Sequence, residues 1–185
     1  MAELATFRLH PGDPAPDFVL PGVDGKTHRL ADFAGQPLRV VTFWCNHCPY
    51  VRAWEGRMVD LARRYAPRGV GFVLINSNDA RSYPEDRLES MVARAKEHDY
   101  PFPYLQDPSQ SVAHAYGALV TPHPMLFDRG RKLVFQGRID NDHSHPEAVT
   151  QRYLEHALEP ALAGRKAEPA ELPVWGGTVK WLPGT

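Results

Sequence analysis

The chain has 185 residues, about one ordinary domain, and its 43% hydrophobic and 23% charged content excludes a disordered or fibrous chain. With 21 Lys and Arg against 22 Asp and Glu, the net charge of -1 gives no global reason to bind nucleic acid or an anionic membrane. No apolar run approaches the roughly 20 residues of a membrane span, and Glu3 and Arg8 interrupt the start where a signal peptide is unbroken, so the expected compartment is the cytoplasm.

In chain order, residues 17–20 and 27–30 bracket Asp24-Gly25 and predict a small N-terminal hairpin. Residues 38–44 (LRVVTFW) are a continuous apolar and β-branched run, as in a strand buried on both faces. Cys45-Asn46-His47-Cys48 follows at once and contains both cysteines of the chain. Val51, Trp54, Met58, Leu61, Ala62 and Tyr65 then recur at helical spacing, and residues 69–75 (GVGFVLI) form a second buried strand. The cysteines therefore sit where a strand ends and a helix begins, inside a βαβ unit with parallel strands. Ser82-Tyr83-Pro84-Glu85 predicts a capping box opening a helix over Leu88, Met91, Val92 and Ala95. Asp107-Pro108-Ser109-Gln110 predicts a short helix ending near Gly117, and Ser144-His145-Pro146-Glu147 one running to about Leu158. Between these, residues 125–128 and 133–139 flank Arg129-Gly130-Arg131-Lys132, a solvated hairpin tip. After Leu162 the chain is Gly- and Pro-rich. We expect one domain over residues 1–162, with an extension over about 1–36, and a tail over 163–185 that packs on it or stays flexible beside it.

A structural disulfide explains the Cys-x-x-Cys poorly, because so short a loop removes little unfolded-state entropy and a reducing cytosol would keep it open. Redox exchange, half a zinc site and haem attachment remain. Haem attachment needs His after the second Cys, where this chain has Pro49.

Strand, Cys-x-x-Cys-Pro, βαβ and then Val120-Thr121-Pro122 before a hairpin and a final helix resemble the thioredoxin fold. Pro14-Ala15-Pro16-Asp17-Phe18, Asp24-Gly25 and Leu30-Ala31-Asp32-Phe33-Ala34-Gly35 are similar to the N-terminal addition of the branch that includes alkyl hydroperoxide reductase and the thiol-specific antioxidant proteins. The stretches Cys45-Asn46-His47-Cys48-Pro49-Tyr50-Val51, Asn76-Ser77-Asn78-Asp79 and Tyr83-Pro84-Glu85-Asp86 resemble a bacterial thioredoxin subgroup. The resemblance, over roughly residues 7–162, implies an α/β thioredoxin-like fold: a central mixed sheet flanked by helices with an added N-terminal hairpin. It also implies a cis Thr121–Pro122 bond facing the cysteines, whose backbone pairs with an extended substrate segment. Two departures stand out. Residues 33–44 contain no Asp or Glu to serve as the family's buried proton acceptor for Cys48, and the places where subgroup members carry further cysteines hold Val120 and Gly177.

These readings converge on a thiol-disulfide oxidoreductase acting on protein or low-molecular-weight disulfides and thiols, regenerated by an unidentified reductant, with no cofactor. A helix N-terminus stabilises a thiolate, so Cys45 is expected to ionise and attack and Cys48 to resolve. His47 between them tunes the pair by charge, or is an exposed first-turn histidine; Asn46 and Pro49 complete the loop, and Trp44 shields the pair or packs under the sheet edge. Asn76 to Asp79 lies at the same edge, as a ligand contact or as a turn with side-chain caps. The alternatives are a thiol peroxidase, for which Thr42 stands three residues before Cys45 but Pro37 eight rather than seven, and a metal carrier. For the carrier, His123, Asp140, Asp142, His143 and His145 could add ligands to the cysteines; solvated loops and helix entry account for them more simply, and no metal site is expected.

Overall fold

The computed structural model describes residues 6–184. The Asp24-Gly25 signal forms its turn: β1 (Val19–Pro21) and β2 (Thr27–Arg29) pair antiparallel, Val19 opposite Arg29. Then comes β3 (Leu38–Phe43), buried at every residue because both faces are covered. Val40 and Trp44 belong to the apolar core on one side of it and Val41 and Phe43 to the core on the other, the period-two alternation of an extended chain.

Helix α1 (Pro49–Tyr65) carries the chain to β4 (Val70–Asn76), which pairs parallel with β3, so the expected βαβ unit is present. Helix α2 (Leu88–Glu97) and β5 (Tyr104–Gln106), parallel to β4, extend the sheet on that side. After α3 (Ser111–Tyr116) and the two-residue β6 (Val120–Thr121), β7 (His123–Phe127) returns antiparallel to β3, with Phe43 opposite His123. The hairpin to β8 (Leu133–Gln136) turns at residues 128–132, as expected. Helix α4 (Tyr153–Leu162) follows, and β9 (Gly177–Thr178) lies in the tail. The central sheet has the order β5-β4-β3-β7-β8, a mixed thioredoxin-like sheet with helices on both faces.

All three expected helix starts are displaced; after Asp107-Pro108-Ser109-Gln110, α3 begins only at Ser111, with the Asp107 carboxylate accepting from the Val112 and Ala113 N–H groups. At Ser82-Tyr83-Pro84-Glu85 only a 3₁₀ turn forms (Pro84–Asp86), and α2 begins at Leu88 without a side-chain cap. The reason lies in the partners: Ser82 Oγ donates to Asp79 Oδ2 (2.8 Å), and the Asp86 carboxylate turns inward to donors elsewhere. Likewise Pro146–Ala148 is a single 3₁₀ turn, and Asp142 Oδ1 accepts from the N–H groups of Ser144 and His145, which delays α4 to Tyr153. That helix also runs through Pro160 to Leu162, beyond the expected end.

The tail holds to the domain by both apolar burial and backbone pairing. Ala167, Val174 and Val179 are buried, and β9 pairs antiparallel with β6, Thr121 opposite Gly177. No helix among the described residues is long and apolar enough to cross a membrane.

Candidate active site

The site forms where β3 runs out. Trp44 N–H still donates to the Ile75 carbonyl (2.9 Å), after which the chain leaves the ladder, turns through residues 45–48 and enters α1 at Pro49. Proline suits that first helical position, where an N–H has no intrahelical acceptor. It also restrains its predecessor: the residue before a proline is pushed out of the helical region, and Cys48 is extended (φ -67°, ψ 127°). Cys48, and not Cys45 as expected, is therefore the residue at the helix N-terminus.

Both thiols are buried and unbridged, Cys45 completely and Cys48 with 4% of its surface exposed. Thr121, 76 residues beyond Cys45, touches the two: its Oγ1 lies 3.3 Å from Cys45 Sγ, and its carbonyl oxygen 3.4 Å from Cys48 Sγ, within reach of a Cys48 thiol proton. The Thr121–Pro122 bond is cis. The antiparallel β3–β7 register carries this segment to the cysteine edge.

The two thiols shift in opposite directions. Burial pushes the Cys45 thiol well up, and the neighbouring Cys48 and the Asp86 charge push it further. Cys48 is lowered to about 5, first because the Cys45 S–H donates to it, then because the Val51 and Gly177 N–H groups and Thr121 do so, against a desolvation that works the other way. The two groups titrate as one system, so a single negative charge is shared between the two sulfurs.

Around this pair lies a polar frame that sequence reasoning missed. Asp86 is almost wholly buried, with Oδ1 accepting from Asn46 N–H (2.6 Å) and Asn76 Nδ2 (3.1 Å), and Oδ2 from Asn78 Nδ2 (3.1 Å) and, in a very short contact, His47 Nδ1. Burial alone would raise its pKa, but these donors hold it below the usual carboxylate value. The bond to Asp86 in turn raises the pKa of His47, whose ring stacks on Tyr83 (5.2 Å, 9° between planes). Asn46 is fixed on every side: Nδ2 donates to the Glu85 carbonyl, while Oδ1 accepts from Tyr104 Oη and its carbonyl from Arg52 Nε. Trp44 packs in the same core as the cysteines, its Nε1 donating to Tyr100 Oη (3.1 Å). The residues from Asn76 to Asp79 point inward as part of this frame.

The family model of the AhpC/TSA family matches residues 11–136, most of the chain and the whole of this frame. The chain belongs to the AhpC/TSA family. Among curated proteins it is 30% identical over 122 residues to the thiol-disulfide oxidoreductase ResA of Geobacillus thermodenitrificans (strain NG80-2), covering 66% of each chain, just under two thirds of that relative's length. A candidate peroxiredoxin of Mycobacterium tuberculosis (strain ATCC 25618 / H37Rv) is 30% identical over 113 residues, 61% of this chain and 67% of that one. Among solved structures, an uncharacterized conserved protein from Geobacillus kaustophilus aligns over 100% of this chain and 99% of its own at 41% identity and a TM-score of 0.93. The thioredoxin domain of a thiol-disulfide oxidoreductase from Bacteroides vulgatus shares the fold, at 20% identity and a TM-score of 0.61 over 74% of this chain and 93% of that one.

In this AhpC/TSA chain the other candidate metal ligands are scattered into structural roles. Asp140 accepts from Trp54 Nε1 (2.8 Å) and Arg57, Asp142 holds the loop of His145, and His143 packs against Tyr50 and Trp54. His123 is buried, its pKa lowered by desolvation to about 4, with Nδ1 accepting from Leu119 N–H and Nε2 facing Gln136 Oε1. Cys45, His47 and Asp86 do offer three ligand atoms within 4.8 Å of one another. The frame already uses both carboxylate oxygens and His47 Nδ1, so a cation there would have to break hydrogen bonds that orient Asn46, Asn76 and Asn78.

Proposed function

We propose that this chain is a thiol-disulfide oxidoreductase that exchanges disulfides with protein or low-molecular-weight substrates through Cys45 and Cys48. The observation that carries the reading is a pair of buried, unbridged thiols at the head of α1 with Thr121 of a cis Thr121–Pro122 peptide against both sulfurs. The Cys48 thiolate attacks one sulfur of a substrate disulfide; the S–S bond breaks, a substrate thiolate leaves and a mixed disulfide forms on Cys48. Cys45 then loses its proton to the departing thiolate and attacks Cys48 Sγ, which expels the second substrate thiol and leaves a Cys45–Cys48 disulfide. Two electrons have passed to the substrate, and an external dithiol, or two monothiols in succession, returns them and leaves as a disulfide. Trp44, Asn46, His47 and Pro49 shape the loop, while Thr121 contacts both sulfurs and Pro122 follows it through the cis bond, the pair proposed as the substrate-facing segment. The scheme uses no cofactor, and residues 6–184 act as one domain with the tail attached.

The test is the pH dependence of alkylation of the reduced protein by iodoacetamide. With a thiolate of pKa about 5, the rate should stay level from pH 8 to pH 6 and fall only near pH 5. At pH 7 an ordinary thiol would be alkylated roughly 100-fold more slowly, for want of thiolate. A midpoint near 8 or 9 would refute the assignment. Peroxidase activity would draw on the same thiolate, and the peroxiredoxin relative favours it. Against it, Pro37 stands eight rather than seven residues before Cys45. Rapid consumption of hydrogen peroxide by the reduced protein would promote that reading.

A further inference from the structure

An extended polypeptide substrate of a thioredoxin-like protein needs a free backbone edge at the residue before the cis proline. Here that edge is taken. Thr121 pairs with Gly177 and Val120 with Thr178, so β9 already lies where an incoming strand would add. The fit leaves no room for a side chain: a Cβ on Gly176 would stand 2.4 Å from the Thr121 carbonyl oxygen, and one on Gly177 3.0 Å from Cys48 Sγ.

The segment is also anchored on both sides of the contact. Val174 is fully buried before it and Val179 nearly so after it. Lys180 N–H donates to Asn78 Oδ1 (2.9 Å), and the Lys180 carbonyl accepts from Asp79 N–H (2.8 Å) and Gln110 Nε2 (3.0 Å). Asn78 donates its other end to Asp86, so one side chain ties this strand to the frame under the cysteines. Trp181 then stacks on His114, 4.4 Å between ring centroids. A segment with two buried valines and this many backbone partners opens rarely, because its bonds and apolar contacts must be lost together.

We propose that residues 174–180 form a fixed internal strand that occupies the substrate-pairing edge at Thr121, so that Cys48 serves small disulfides and thiols and is closed to disulfides carried on folded polypeptides. This rests on the redox reading above and narrows its substrate class. The small exposed fraction of Cys48 agrees with it: a sulfur with 4% of its residue surface open admits a slim reagent, not a chain that must lie flat across it.

The experiment compares reagents of two sizes on the reduced full chain, iodoacetamide and a polyethylene-glycol maleimide, and two disulfides, hydroxyethyl disulfide and insulin. The native protein should react with the small member of each pair and scarcely with the large one. Gly176→Ala puts a methyl group into the Thr121 carbonyl and should lift the strand, raising maleimide labelling relative to iodoacetamide, and insulin reduction relative to hydroxyethyl disulfide exchange, by about tenfold or more, even where loss of the Gly177 N–H slows both members of a pair. If Gly176→Ala does not fold, the size discrimination of the native protein decides alone. Equal access for large and small reagents in the native protein, or unchanged size discrimination in Gly176→Ala, overturns the proposal. Labelling needs no turnover, so it still decides if no variant exchanges any disulfide, an outcome that would instead refute the redox reading.

Discussion

Cys48→Ser is expected to abolish exchange with hydroxyethyl disulfide and to remove the low-pH phase of iodoacetamide alkylation. The thiol that remains, Cys45, is fully buried and held protonated by desolvation and by the Asp86 charge, so at pH 7 it should react at least roughly 100-fold more slowly than the native pair. Cys45→Ser should behave differently. The Val51 and Gly177 N–H groups still face Cys48, and a serine hydroxyl can replace the Cys45 S–H as donor, so the thiolate persists with a somewhat higher pKa. It should attack once and stop, because nothing remains to resolve the adduct, and mass spectrometry should find a stable mixed disulfide on Cys48. Trapping by Cys48→Ser instead, with the adduct on Cys45, would restore the order that the motif suggested.

That reversal shows how far the sequence could be read. The cysteine spacing, the apolar run before it, the helical period after it and the Thr121-Pro122 pair predict the fold and bring the right segments to one edge, because each is a local pattern that the packed sheet only assembles. The helix start was also legible, since a residue before proline is disfavoured in the helical region, which makes Cys48 the N-cap of α1. Asp86 was harder. The buried acid was sought on β3, where residues 33–44 lack one, yet it comes from the turn after Tyr83, whose Ser-x-x-Glu spacing reads as helix capping. Its burial depends on Asn46, some 40 residues away, and on Asn76 and Asn78, and no local period encodes such a network. The role of Gly177 was hidden for the same reason: a Gly-rich tail gives no sign of the sulfur it covers.

Asp86→Asn is expected to have the second large effect, on stability and on the titration of the site together. The carboxylate accepts four donors at once, and an amide offers one acceptor while turning its NH₂ toward groups that also donate. Two or more buried donors then lose their partner, at a total cost of about 2–4 kcal/mol in urea unfolding of the reduced protein. The pH dependence follows from the two shifts. Asp86 is depressed below its ordinary 3.8, so its contribution is present above that value and is lost as pH falls through the lower folded pKa. His47 is raised above its ordinary 6.5, so its contribution is present below 6.5 and is lost as pH rises through the higher folded pKa. The gap between native and variant protein should therefore be widest from about pH 4 to 6.5 and narrower on either side. Cys45 is held up first by burial and further by the Asp86 charge, so removing that charge should let the second thiol ionise at lower pH in the variant. Asn78→Ala, which deletes one donor to Asp86 and the acceptor of the Lys180 N–H but leaves the charge, is the control: it should cost about 2 kcal/mol and leave the Asp86 contribution to the Cys45 titration in place. A flat stability difference across the pH range, or equal effects of the two substitutions on Cys45, would mean that Asp86 supports the loop by hydrogen bonding and not by its charge.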